Sequence, residues 1–169
     1  MTENSENSEN TETRDADLAA SQEVQQHHAA MVAELDRLSA AVRDAAPTEH
    51  ARAHARLVDW FETVLVPHAD EEEATTYRVA GTLAEGHLLI DAMIREHVLI
   101  KRLVALFAAS DGAAAGAYAR AVHEAFRHHQ DLENDLILPL LVDSPDVSLV
   151  AALGAAHGHQ TGGHAHGHH

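Results

Sequence analysis

The chain has no cysteine among its 169 residues, which excludes disulfides, thiolate metal ligands and thiol nucleophiles. Aromatic residues make up only 4 %, and much of the 46 % apolar content is alanine. With Leu, Val, Glu and Arg beside it, this composition favours helices over sheet. Basic residues are few: 11 Lys and Arg against 27 Asp and Glu leave a formal charge of −16. That balance argues against nucleic acid or an anionic membrane as partner, since both need a basic face. No stretch approaches the roughly 18 apolar residues of a membrane helix, and residues 1–20 lack the basic and apolar regions of a signal peptide. The expectation is one soluble, cytoplasmic domain, long enough to bury a real core. What the chain has in excess is histidine, at 16.

Residues 1–20 (MTENSENSENTETRDADLAA) repeat Glu, Asn and Ser with little that is apolar, and are expected to be a disordered acidic tail. Residues 157–169 (HGHQTGGHAHGHH) form a second, His/Gly-rich tail, either a solvated end or a loose additional site for zinc, nickel or copper. Between them, breaks at Pro47, Gly81–Gly86 and Gly112–Gly116 separate four long segments, and a short fifth follows Ser144-Pro145. Each long segment carries a repeat of steps three and four. The four stripes are Val24-His28-Met31-Leu35-Leu38-Val42, then Leu57-Phe61-Val64-His68-Glu72-Thr75-Val79, then Ile90-Met93-His97-Ile100-Val104-Phe107, and finally Val122-Phe126-His129-Glu133-Leu136-Leu140. An all-α, up-down-up-down four-helix bundle over residues 21–156 follows, with a short fifth helix at its C-terminal end. Pro67 is expected to kink the second helix just before His68.

Every stripe is interrupted by a histidine, and two of them by a glutamate four residues later. In an antiparallel pair, residues equally far from the connecting loop lie at one height. His68 and His97 are each about 15 residues from the loop near 83, His97 and His129 about 16 from the loop near 113, and His28 and His68 about 20 from Pro47. The four imidazoles therefore converge on one layer, and Glu72 and Glu133 face it because i and i+4 share a helix face. Six buried polar groups are costly unless paired, and a bound cation resolves the cost. Imidazole and carboxylate without sulfur suit iron, manganese or zinc, and six side chains suit two metals bridged by carboxylates. Histidine-first spacing separates this pattern from the Glu-x-x-His signature of ferritin-like bundles.

The set His28, HADEE (His68–Glu72), EH (Glu96–His97) and HQDLE (His129–Glu133) followed by LILPLL resembles the hemerythrin-like, or HHE cation-binding, family over roughly residues 20–142. The resemblance implies a non-haem di-iron centre with His28, His68, Glu72, His97, His129 and Glu133 as its ligands. Lys101 stands where the similar oxygen carriers have a second histidine, and Asn134 where they have the carboxylate. A centre with more carboxylate character favours the ferric state and irreversible oxygen activation over reversible carriage. The function expected is reaction with, or sensing of, O2, peroxide or nitric oxide, with oxidation of an unidentified small molecule. The alternatives are an iron or zinc buffer or delivery protein, and a reversible O2 binder.

Neighbouring residues receive two readings each. Glu73 and Glu96 are either hydrogen-bond partners of the ligands or additional ligands. Tyr77 is a packing residue or a proton donor to a bound oxygen species. His27 and His128 fall off the stripe and are solvated neighbours, while His50, His54 and His87 lie towards the two ends and share no site.

Overall fold

The computed structural model describes the backbone of residues 3–157 and the side chains of residues 10–154. The His/Gly-rich residues 158–169, for which a metal-binding role is among the expectations, lie outside the described residues. All regular structure among the described residues is helical. The first rod is α1 (Glu3–Asp44); the second is α2 (His50–Trp60), a π turn (Phe61–Leu65), α3 (Val66–Ala74) and α4 (Thr76–Ala80). The third rod is α5 (Gly86–Ala108); the fourth is α6 (Gly112–Leu132), a second π turn (Glu133–Ile137) and α7 (Leu138–Asp143). A short α8 (Leu149–His157) is the last element among the described residues. No helix among them is long and apolar enough to cross a membrane.

Contacts between rods run in opposite senses. His54 meets Phe107 while Glu73 meets His97, and Ser39 meets Ala119 while His28 meets Asn134. The hairpin between rods two and three is set by Gly86, where any Cβ would lie 1.9 Å from the Ala80 carbonyl oxygen. That close approach fixes the height of α5, and with it the height of His97 against α3.

The π turns correct two of the expected stripes. Pro67 and Pro139 each stand two residues beyond a π turn, and a proline ring crowds the carbonyl four residues back. The widened turn ahead takes up that crowding: Val66 N–H bonds the Phe61 carbonyl and Leu138 N–H the Glu133 carbonyl, five residues back instead of four. The expected kink at Pro67 thus takes the form of a π turn. One extra residue per turn moves the buried register on by one. Leu65 is buried where Val64 was expected, and Ile137 and Leu141 are buried where Leu136 and Leu140 were expected.

α1 begins at Glu3 and runs through most of the segment for which an acidic tail is expected. Composition counts only local burial, whereas here a contact comes from the far end of the chain. Asp17, 2 % exposed, accepts hydrogen bonds at Oδ1 from Val150 N (2.8 Å) and Ser148 Oγ (2.9 Å), satisfying the first turn of α8. Arg14 pairs with Asp143 at 2.5 Å nearby.

Replacing Asp17 by Ala should therefore cost about 1–3 kcal/mol, because a buried cap is lost and donors are stranded. Asp17→Asn, which keeps an acceptor oxygen, should cost less. Urea unfolding of the two variants measures the difference.

Candidate metal centre

The buried apolar residues form two clusters. One joins Met31–Val42, Leu57–Leu65, Ile100–Phe107 and Ala115–Phe126; the other gathers Tyr77, Ala80, Ile90, Met93, Ile137–Val142 and Leu149. Between them lies a polar layer. His28 enters it from α1, His68 and Glu72 from α3, His97 from α5, His129 from α6, and Glu133 from the first residue of the second π turn. The structure brings all six side chains together. Five are nearly inaccessible, and His68 sits at the edge with 14 % of its side chain exposed.

Glu72 holds the middle. Its Oε1 is 2.9 Å from His68 Nε2 and 3.5 Å from His28 Nε2, while its Oε2 is 3.4 Å from His97 Nε2. Glu133 spans the same gap from the opposite side, with Oε2 3.8 Å from His28 Nε2 and Oε1 3.9 Å from His129 Nε2. The donors fall into two groups, His28-His68-Glu72-Glu133 and Glu72-His97-His129, each with its donor atoms within 4.8 Å of one another. Glu72 belongs to both.

Three imidazoles are oriented from outside. His28 Nδ1 donates to Asn134 Oδ1 (2.9 Å), His97 Nδ1 to Glu73 Oε1 (2.8 Å) and His129 Nδ1 to Glu96 Oε2 (3.1 Å). Each outer acceptor places the proton on Nδ1 and turns the Nε2 lone pair inward, the tautomer a metal needs. Glu73 and Glu96 thus take the first of their two readings. Asn134 was singled out only as a departure from the oxygen carriers, not as a partner of His28, and Gln130 was not singled out at all; Gln130 Nε2 donates to Glu133 Oε2 at 2.9 Å. The only signal for Gln130 was its spacing from Glu133, which is too common to single it out.

Tyr77 takes the packing role expected of it, and its hydroxyl is turned into the layer. Its ring stacks on His97 (centroids 5.3 Å apart, planes 10° apart), and its hydroxyl donates to Glu133 Oε1 and lies 3.1 Å from His129 Nε2. A break at Thr75 makes this possible, because the interrupted helix buries Thr75, Thr76 and Tyr77 in succession.

The donor set fits cations. Although His68 Nε2 and His28 Nε2 approach Glu72 Oε1 to 2.9 and 3.5 Å, neither nitrogen nor Glu72 Oε2 has a well-aligned hydrogen-bond partner. Each such orphan costs about 1–3 kcal/mol, and a cation would occupy the same lone pairs. Burial resists ionisation of Glu72, but His28, His68 and His97 outweigh it and hold its pKa well below the carboxylate range. Glu133 is pushed well above that range by burial and by the charge of Glu72. Burial and the neighbouring His97 lower His129 to about 3, so its imidazole is a neutral donor at any physiological pH.

Other residues stay apart. Lys101 turns away from the layer and bonds Asp70 Oδ1 (2.7 Å) and Glu73 Oε1 (3.3 Å); burial opposes its charge, but these carboxylates raise its pKa. His128 is exposed and apart, whereas His27, also exposed, sets its ring edge-on to that of His68 with centroids 5.5 Å apart. At the far end of the bundle, His54 Nε2 lies 3.1 Å from the Phe107 carbonyl, and His50 Nε2 accepts from Gly112 N–H at 3.1 Å.

A cavity of about 310 Å³ reaches the His28–His68 side of the layer. Val24, Ile137, Leu138 and Leu153 supply its apolar wall, with Glu23, His27 and Glu71 among its polar lining. The cavity touches neither His97 nor His129.

Residues 19–141, well over half of the chain, match the hemerythrin HHE cation binding domain. Neither the curated proteins nor the solved structures contain a match to the chain.

Glu133→Gln should separate the two faces of this electrostatics. A folded pKa raised above the unfolded value contributes stability below the unfolded value and loses it as pH rises through the folded one, at about 1.4 kcal/mol per unit. Metal-free Glu133→Gln should accordingly be more stable than metal-free wild type at pH 8, with the gain shrinking below pH 5. In the presence of metal the same substitution should weaken binding. Thermal unfolding with and without chelator tests both halves.

Proposed function

The chain belongs to the hemerythrin HHE cation-binding family, and on that premise we propose that it is a non-haem di-iron protein that reacts with O2, peroxide or nitric oxide and oxidises a small molecule. The observation that carries this reading is the sharing of Glu72 between two donor groups, each with two imidazoles. One cation would account for only part of such a set; His28, His68, Glu72 and Glu133 would serve one cation and Glu72, His97 and His129 a second. His28 and His68 would hold one ion and His97 and His129 the other. Two irons there would supply paired one-electron changes and an exchangeable position for a small oxidant.

The protein's own groups divide the remaining work. Tyr77 keeps its proton at all physiological pH, because burial and the nearby Glu133 raise its pKa, and it presents that proton at Glu133 Oε1. Asn134, Glu73 and Glu96 hold three imidazoles in register through their Nδ1 protons. The cavity supports oxidation of a substrate beyond the small oxidant itself. Its 310 Å³ far exceeds the roughly 10–15 Å³ that one water-sized molecule requires. Glu23 and Glu71 disfavour anions there, so the substrate class is neutral or cationic, small and largely apolar. Lys101, tied outward to Asp70 and Glu73, adds no ligand to the His97 side.

Iron-loaded protein should hold two irons per chain, and removing residues 158–169 should leave that ratio unchanged. His68→Ala and His129→Ala should each lose metal and unfold more readily, whereas His27→Ala and His128→Ala should retain it. Elemental analysis decides, and a ratio of one or less in loaded protein overturns the dinuclear reading.

On exposure to air, the reduced protein should convert to a stable ferric form with near-ultraviolet absorption and no visible colour that deoxygenation reverses. Tyr77→Phe should keep the iron but slow this oxidation roughly ten-fold or more, as loss of a positioned proton donor does. Stopped-flow absorption follows both; a reversible visible colour would instead favour oxygen carriage.

A further inference from the structure

The outward face of α5 carries five of the eight large apolar side chains exposed among the described residues. Leu88 is 79 % exposed, Val98 63 % and Leu99 50 %. Among the exposed positions of α5, 88, 91, 95, 98, 102 and 106 lie on the side opposite the Met93-His97-Ile100 stripe that packs into the bundle. The steps of 3, 4, 3, 4 and 4 keep these positions on one face, a seam along which a second helix can pack.

The charges on this seam are as informative as its apolar residues. Asp91, Arg95 and Arg102 are exposed and form no ion pair or hydrogen bond among the described residues. Together they give the seam a net positive charge on a chain whose formal charge is −16. It is therefore a face on which two such chains can meet with little of the repulsion the total charge implies.

We propose that a second copy of this chain docks here, with the two α5 helices antiparallel about a two-fold axis near Glu96–His97. In that register, residues whose numbers sum to about 193 face one another. Asp91 then meets Arg102 of the other copy, and by symmetry this ion pair forms twice. Arg95 lies against the other copy's Val98, and Leu88 packs near the other copy's Leu106. A parallel arrangement would set Arg95 against Arg95 and Arg102 against Arg102, so the charges select the antiparallel one. The seam is self-complementary, as an isologous interface requires, which singles out a second copy as the occupant. The inference is independent of what the metal centre does.

The absence of cysteine makes the test direct. Sedimentation velocity of the intact, metal-loaded chain should show a dimer whose population rises with concentration. Arg95→Cys combined with Val98→Cys should give a covalent dimer on mild oxidation. Leu88→Cys should give none, because antiparallel pairing puts the two copies of residue 88 at opposite ends of the interface, about 27 Å apart at 1.5 Å per residue. Asp91→Arg and Arg102→Asp should each weaken dimerisation about ten-fold, and the two together should restore it, because the exchanged charges pair again. Unchanged helical circular dichroism and iron content would confirm that each variant remains folded. A chain that stays monomeric at every concentration, cross-linking through Leu88→Cys, or a double reversal no better than either single one would each overturn the proposal.

Discussion

A carboxylate buried among three imidazoles organises this molecule. Glu72 is surrounded by His28, His68 and His97 at 2.9–3.5 Å, in a layer that apolar clusters close off on two sides. A buried charge is costly unless its neighbours compensate it, so every neighbouring group must be placed with respect to it. Burial and the charge of Glu72 raise the Glu133 pKa, Tyr77 and Gln130 supply donors to Glu133, and the imidazoles direct their protons outward to Asn134, Glu73 and Glu96. The layer remains incomplete by its own resources, with three of its inward atoms lacking a well-aligned hydrogen-bond partner. Metal binding by an HHE-domain protein is the natural completion of such an arrangement.

The two π turns show how the backbone serves that layer. Both lie on rods that carry a His-x-x-x-Glu pair, and both precede a proline by two residues. On the second rod the π turn lies ahead of His68 and Glu72, moving Leu65 and Ala69 into the apolar seam and leaving His68 at its edge. On the fourth rod it begins at Glu133, so His129 and Glu133 are placed by regular α geometry and only the residues beyond them shift. The widened turns therefore decide which imidazole borders the cavity without disturbing the spacing within either pair.

The resulting layer is asymmetric. His28 and His68 border the cavity, whereas His97 and His129 are enclosed by Tyr77 and the outer carboxylates. Lys101, beside the enclosed half, is drawn to the surface by Asp70 and Glu73 and leaves the layer without a buried cation of its own. One half is arranged for access and the other for retention, a division that suits chemistry in which a small molecule reaches only one of two linked positions.

Much of this was legible along the chain, because helical periodicity and loop length are one-dimensional quantities. The steps of three and four located the four rods, and equal distances from the loops placed His28, His68, His97 and His129 at one height; Glu72 and Glu133 followed from their spacing. What the sequence could not carry was anything decided between residues far apart in number. Whether Glu73 turned to His97 or to a metal depended on the lateral position of α5 against α3, which Gly86 sets by a steric contact with Ala80. Tyr77 reached Glu133 only because the helix breaks at Thr75, and the one-residue register shifts came from the strain that Pro67 and Pro139 impose on turns already committed to packing. The contact of Asp17 with the start of α8 joins residues more than a hundred positions apart, which no local count of apolar side chains could detect. Periodicity fixes which face a residue occupies, but distances of a few ångström across the layer arise only when all four rods are packed against one another.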